Sequence, residues 1–196
     1  MTELGGVILA GGPGRRMGNQ DKASLTLAGE RLLDHVLRRL SPQVGALAIN
    51  ANGDPERFGA LDVPVVPDGE FQGSGPLSGV LAGLDWAGEN GLTEIVTVPV
   101  DTPFFPENMT ERLAATARQA GAKIAIAETS DGRHPTCAFW SVALRDDLRR
   151  ALADGIRKMT DWADRHGAVA ARFDDPDAFF NVNTPEDLAR AKAHRP

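Results

Sequence analysis

Short apolar runs alternate with stretches of helical periodicity along the chain. Val7, Ile8 and Leu9 form an unbroken run that predicts a first strand over Gly5–Ala10. Leu32, Leu33, Val36, Leu37 and Leu40 then recur at helical spacing in a segment that ends before Pro42, because a proline disfavours helix in the residue preceding it. Further apolar runs predict strands at Ala46–Asn50, Val63–Val66, Glu94–Val100, Lys123–Ala127, Thr136–Ser141 and Ala168–Phe173. Leu77, Val80, Leu81 and Leu84 mark a helix starting at Pro76, and helices are predicted near Glu107–Ala120, Leu144–Ala153 and Lys158–Arg165. A last helix starts from Thr184, with Thr184 as its cap and Pro185 in its first turn.

Strands alternating with helices predict an α/β fold: one domain over residues 1–196, built as a three-layer α/β/α, Rossmann-like arrangement around a mainly parallel, mixed sheet. Such sheets bind ligands beyond the carboxyl ends of their strands. Asn50, Asp68, Asp101 and the stretch after Leu9 all fall at or just past predicted strand ends, so they are expected to converge on one site.

Composition narrows the setting. The 196 residues, 42% of them hydrophobic, suffice for one well-buried core. A single cysteine, Cys137, excludes an internal disulfide framework and fits a reducing compartment. No apolar stretch reaches transmembrane length and the N-terminal run is too short for a signal peptide, so a cytoplasmic enzyme with no membrane partner is expected. The formal charge of −6 argues against non-specific nucleic-acid binding. Residues 1–40 nevertheless carry six Lys/Arg against four Asp/Glu, which places positive charge around the stretch after Leu9, as a small polyanion requires.

That stretch reads LAGGPGRRMGNQDK, from Leu9 to Lys22. Glycines allow main-chain N–H groups to approach phosphate oxygens, and Arg15, Arg16 and Lys22 supply compensating charge. A dinucleotide-binding loop needs G-x-G-x-x-G, but Met17 stands where the third glycine belongs. A P-loop needs G-x-x-x-x-G-K-[ST], and here Lys22 follows Asp21. What remains is a longer, more basic loop suited to neutralising a polyphosphate during bond making and breaking. On the residues alone, Asn50 also reads as a turn residue, and Asp68 as the first residue of a turn continuing into Gly69.

LAGGPGRRMGNQDK, PVDTPFFP at residues 99–106, HPT at 134–136 and NVNTPED at 181–187 together resemble, in order and spacing, the molybdenum cofactor guanylyltransferases. The resemblance runs over nearly the whole chain and implies a nucleotidyltransferase fold. It also implies transfer of GMP from GTP to the phosphate of the molybdenum–molybdopterin cofactor, with Mg²⁺, release of pyrophosphate and possible cofactor-delivering protein partners. An acceptor phosphate is already anionic at neutral pH, so no general base is needed, and the lack of a His/Asp dyad is in keeping. The alternatives are a sister enzyme that uses CTP or another phosphorylated acceptor, and a non-catalytic nucleotide- or cofactor-binding module.

Carried over position by position, the resemblance makes Asp101 the metal ligand, a role that suits a hard cation sharing one carboxylate with substrate phosphates. It gives Lys22 and Arg16 phosphate contacts, and it assigns the nucleotide to Leu9, Ala10, Gly11, Gly12, Asn50 and Asp68 as well. Asp68 would accept from the ring N–H and amino group of guanine, a pair that cytosine does not present in that arrangement. Asn181, Asn183 and His134 are weaker candidates for the pterin-bearing acceptor, and His134, standing before Pro135, reads otherwise as a loop residue. Pro13 and Gly14 depart from the common family pattern, and the proline removes one donor from the phosphate cradle.

Overall fold

The computed structural model describes residues 4–11, 23, 25–59 and 61–193. In chain order the elements are β1 (Leu4–Leu9), β2 (Thr26–Leu27), β3 (Glu30–Arg31), α1 (Leu32–Leu40), β4 (Ala46–Asn50), β5 (Val65–Val66), α2 (Pro76–Glu89) and β6 (Glu94–Pro99). There follow α3 (Met109–Ala120), β7 (Ile124–Thr129), β8 (Gly132–Ser141), α4 (Arg145–Ala153), α5 (Met159–Arg165), β9 (Val169–Arg172) and α6 (Pro185–Ala193). Seven strands form one sheet in the order β5-β4-β1-β6-β8-β7-β9. β8 runs antiparallel to both its neighbours, and the other pairs are parallel.

The sheet is covered on both faces because successive residues of a strand point to opposite sides. Ile8, Val96 and Val98 pack with Leu33, Val36 and Leu40 of α1 and Met109 and Leu113 of α3. Val7, Leu9 and Ile95 pack on the other side with Leu77, Val80 and Leu84 of α2, Leu148 of α4 and Trp162 of α5. The result is the expected three-layer arrangement. A third, smaller cluster joins Leu27 and Leu32 to Val182 and Ala191, tying the C-terminal helix to the start of α1.

The differences from the expected elements have local causes. β2 and β3 form a hairpin too short to show alternation, closed by Ala28 and Gly29 with φ of 53° and 89°. Positive φ at both central residues suits the twist of a two-residue hairpin loop. β5 is only Val65–Val66, because Pro64 lacks the N–H a longer pairing would use. α3 begins at Met109 rather than Glu107.

The largest correction concerns β8, which starts at Gly132 and not Thr136, so His134 lies on a strand and not in a loop. Its pairing with β7 jumps from Ile126↔Ala138 to Ala127↔His134, which leaves Pro135, Thr136 and Cys137 outside the ladder. A proline that cannot donate to the ladder belongs at such an irregularity.

Candidate active site

The register of the parallel strands brings their ends to one level. Leu9 stands opposite Asn50 on one side and Pro99 on the other, and Asn50 stands opposite Val66. The bonds continue just past the ladder, with Ala10 N–H donating to the Asn50 carbonyl at 2.8 Å and Val100 N–H to that of Leu9 at 3.0 Å. Connections leave β1 and β6 toward opposite edges of the sheet, and beyond these strand ends opens a cleft of about 530 Å³.

Leu9, Ala10, Gly11, Asn50, Asp68 and Asp101 all line this one cleft, as expected from sequence. Gly12, Arg15, Arg16 and Lys22 lie outside the described residues. Gly11 opens into the cleft, while Ala23, after the basic stretch, is buried in the same cluster as Ala10.

At the β4/β5 end, polar side chains form a closed network. Asn50 Nδ2 donates to the Val66 carbonyl at 3.1 Å and to Asp68 Oδ1 at 2.9 Å. Asn52 Nδ2 donates to Asp68 Oδ2 at 2.8 Å, while Asn52 Oδ1 accepts from the Asp68 main-chain N–H at 3.0 Å. Asn50 is buried, so these bonds offset the cost of taking its amide out of water. Gly79 in α2 makes room for it, since a Cβ there would lie 2.3 Å from Asn50 Oδ1.

Asp101 stands two residues beyond the end of β6, after Val100. Its carbonyl accepts from Val182 N–H at 2.8 Å, and the neighbouring, buried Thr102 donates through Oγ1 to Asn181 Oδ1 at 2.5 Å. The Asn181 side chain therefore braces the turn that carries Asp101. Below this turn Cys137 is buried, and burial, with the Asp101 charge adding to it, raises its thiol pKa far above the usual range. That thiol is inert.

The remaining candidates sit beside the cleft rather than in its lining. The His134 ring stacks on Phe179 with centroids 4.7 Å apart, and its Nε2 lies 2.9 Å from Thr129 Oγ1. Burial lowers the His134 pKa. The main-chain N–H groups of Asn183 and Thr184 both donate to Asp187 Oδ2 at 3.0 Å, and Asp187 N–H returns a 3.0 Å bond to Thr184 Oγ1. This reciprocal cap is the helix start expected at Thr184.

Sequence reasoning missed Asn52, Arg57, Thr136 and Gly79, the first three of which line the cleft. Asn52 had a signal, as the second asparagine of an N-x-N pair leaving a strand end. Gly79 had one too: an isolated glycine inside a helical pattern marks close packing.

Asp101 brings a carboxylate to the cleft at the end of β6. Among the described residues no group of three or more His, Cys, Asp or Glu side chains forms a metal cage. One carboxylate at a cleft fits Mg²⁺, which takes few protein ligands and completes its shell with water and substrate phosphates. Among the described residues no helix is long and apolar enough to cross a membrane.

The MobA-like NTP transferase domain family matches residues 6–169. The chain is 53% identical over 190 residues to the molybdenum cofactor guanylyltransferase of Cereibacter sphaeroides (strain ATCC 17029 / ATH 2.4.9), covering 97% of this chain and 96% of that protein. It is 44% identical over 196 residues to that of Mesorhizobium japonicum, covering 96% and 94%. Among solved structures, the molybdopterin-guanine dinucleotide biosynthesis protein A of Archaeoglobus fulgidus superposes with a TM-score of 0.80 at 27% identity, covering 96% of this chain and 97% of that one. With strand order, cleft and likeness over nearly its full length in agreement, the chain belongs to the MobA-like NTP transferase family, among the molybdenum cofactor guanylyltransferases.

Proposed function

We propose that this protein transfers GMP from GTP to the phosphate of the molybdenum–molybdopterin cofactor. An acceptor phosphate oxygen attacks the α-phosphorus, the bond from that phosphorus to the α,β-bridging oxygen breaks, and pyrophosphate leaves with the electron pair. The reaction needs alignment and charge neutralisation more than proton transfer.

The observation that carries this reading is the placement of Asp68 and Asp101 in one cleft, at strand ends on either side of β1. Asp68 follows β5 and Asp101 follows β6, strands three spacings apart or roughly 14 Å, the scale of a nucleoside with its first phosphate and the side chains that reach it. Asp68 and Asn50 hold the base, and main-chain groups of Leu9, Ala10 and Gly11 lie along the ribose. Arg16 and Lys22 neutralise the β- and γ-phosphates. Mg²⁺ held by Asp101 would supply the positive charge that stabilises the α-phosphate as the bond order shifts.

The acceptor approaches from the β8 side, where Thr136 reaches the cleft. His134 and the segment from Asn181 to Asn183 flank that approach: Phe179 stacks on His134 and Val182 bonds to Asp101. Asn181 acts there through the Asp101 turn.

A screen of GTP, CTP, ATP and UTP with Mg²⁺ and molybdenum–molybdopterin, read as pyrophosphate release, tests the proposal. GTP is expected to be the productive nucleotide and to raise the melting temperature by mass action. Preference for CTP assigns the chain to a cytidylyl-transferring sister activity. Retention of GTP without release assigns it to a binding module.

A further inference from the structure

The base end of the cleft contains a side chain that the nucleotide assignment leaves unused. Asn52 gives its whole amide to one residue, with Oδ1 on the Asp68 main-chain N–H and Nδ2 on Asp68 Oδ2. Asn50 reaches the other oxygen, Oδ1, and divides its Nδ2 between that atom and the Val66 carbonyl. A carboxylate turns readily about its terminal torsion, whose preference is broad. Two amides gripping opposite oxygens, one of them also clamped to the main chain of the same aspartate, set the plane of the group.

An ionised aspartate offers about four lone-pair sites. The two asparagines occupy one on each oxygen, which leaves an acceptor site on each oxygen among the described residues. Two parallel acceptors suit a base edge with two adjacent N–H donors. Guanine has that edge in its ring N1–H and exocyclic amino group. Cytosine and adenine place an amino group next to a ring nitrogen whose lone pair would face the carboxylate. Hypoxanthine keeps the ring N–H and lacks the amino group.

We propose that Asn52 is a positioning residue for base selection: it orients the Asp68 carboxylate so that the second oxygen meets the guanine amino group, and so sets the preference for GTP over ITP. The inference rests on guanine being the base held at Asp68. Asn52 acts through Asp68 and has no role in the phosphate chemistry.

The experiment compares kcat/KM for GTP and ITP, by pyrophosphate release with Mg²⁺ and molybdenum–molybdopterin, in the wild type, Asn52→Ala, Asn52→Leu and Asp68→Asn. Asn52→Leu keeps nearly the side-chain shape but can neither donate nor accept, so it separates the lost bonds from lost packing. The wild type is expected to favour GTP. Both Asn52 variants should lose about tenfold to a hundredfold with GTP, the span of a hydrogen bond to a charged group. They should lose far less with ITP, so that the ratio collapses. Adding Asn52→Ala to Asp68→Asn should cost little more, because both changes remove one interaction.

Equal losses with GTP and ITP in both variants would mark Asn52 as merely structural and overturn the inference, as would an unchanged ratio. A wild type that uses GTP but accepts ITP equally well would overturn it too. A wild type that prefers CTP to GTP would instead refute the guanine reading beneath it, a failure visible before any variant is compared.

Discussion

The two ends of the cleft are anchored in different ways. At the β4/β5 end the protein holds a carboxylate by its oxygens, with Asn50 and Asn52 each on one oxygen of Asp68. At the β6 end it holds a turn by its main chain, with Val182 N–H on the Asp101 carbonyl and Thr102 tied to Asn181. The contrast suits the proposed roles: a group that reads a base benefits from a preset plane, whereas a metal ligand shares its cation with moving phosphates.

The largest effect is expected at the metal end. Asp101→Asn should lower turnover about a thousandfold or more, since a cation in such a site contributes several kcal/mol to transition-state charge stabilisation. Its melting temperature should stay within about 3 °C of wild type, under 1 kcal/mol for a chain of this size. Pyrophosphate release and thermal unfolding of the same preparation check both halves.

A smaller effect is expected at the base end from Gly79→Ala. The added Cβ cannot coexist with Asn50 Oδ1 at 2.3 Å, so the Asn50 amide must leave Asp68. Overpacking costs about 1–3 kcal/mol, offset in part by about 1 kcal/mol of helix propensity. The Kd for GTP should rise about tenfold with little change in metal dependence, which titration at two Mg²⁺ concentrations measures.

The smallest effect belongs to His134, beside the metal end. Burial lowers its folded pKa below the ordinary value of 6.5. Below pH 6.5 the unfolded chain then binds the proton more readily, so this contribution to stability, present above that pH, is lost as pH falls. The melting temperature should drop more between pH 7.5 and 5.5 in the wild type than in His134→Gln.

The sheet and most helices were legible from sequence because long apolar runs and helical spacing carry their own period. Asp68, Asn50 and Asp101 were legible as site candidates because strand ends in a parallel sheet face one edge. The β2–β3 hairpin was not, since two residues per strand show no period and Ala28 gives no warning of positive φ. His134 was misplaced because His-Pro suggests a loop, while the irregularity around Pro135 lets β8 continue past it. Asn52 escaped notice because its role exists only in its pairing with a residue 16 positions away.

The central claim is that one cleft grips one nucleotide at two separately built ends. Titrating GTP and CTP into wild type, Asp68→Asn and Asp101→Asn, with and without Mg²⁺, tests it most directly. Asp68→Asn should erase the preference for GTP and keep the gain in affinity from Mg²⁺, while Asp101→Asn should erase that gain and keep the preference. Loss of both properties in either variant, or of neither in both, would contradict the account.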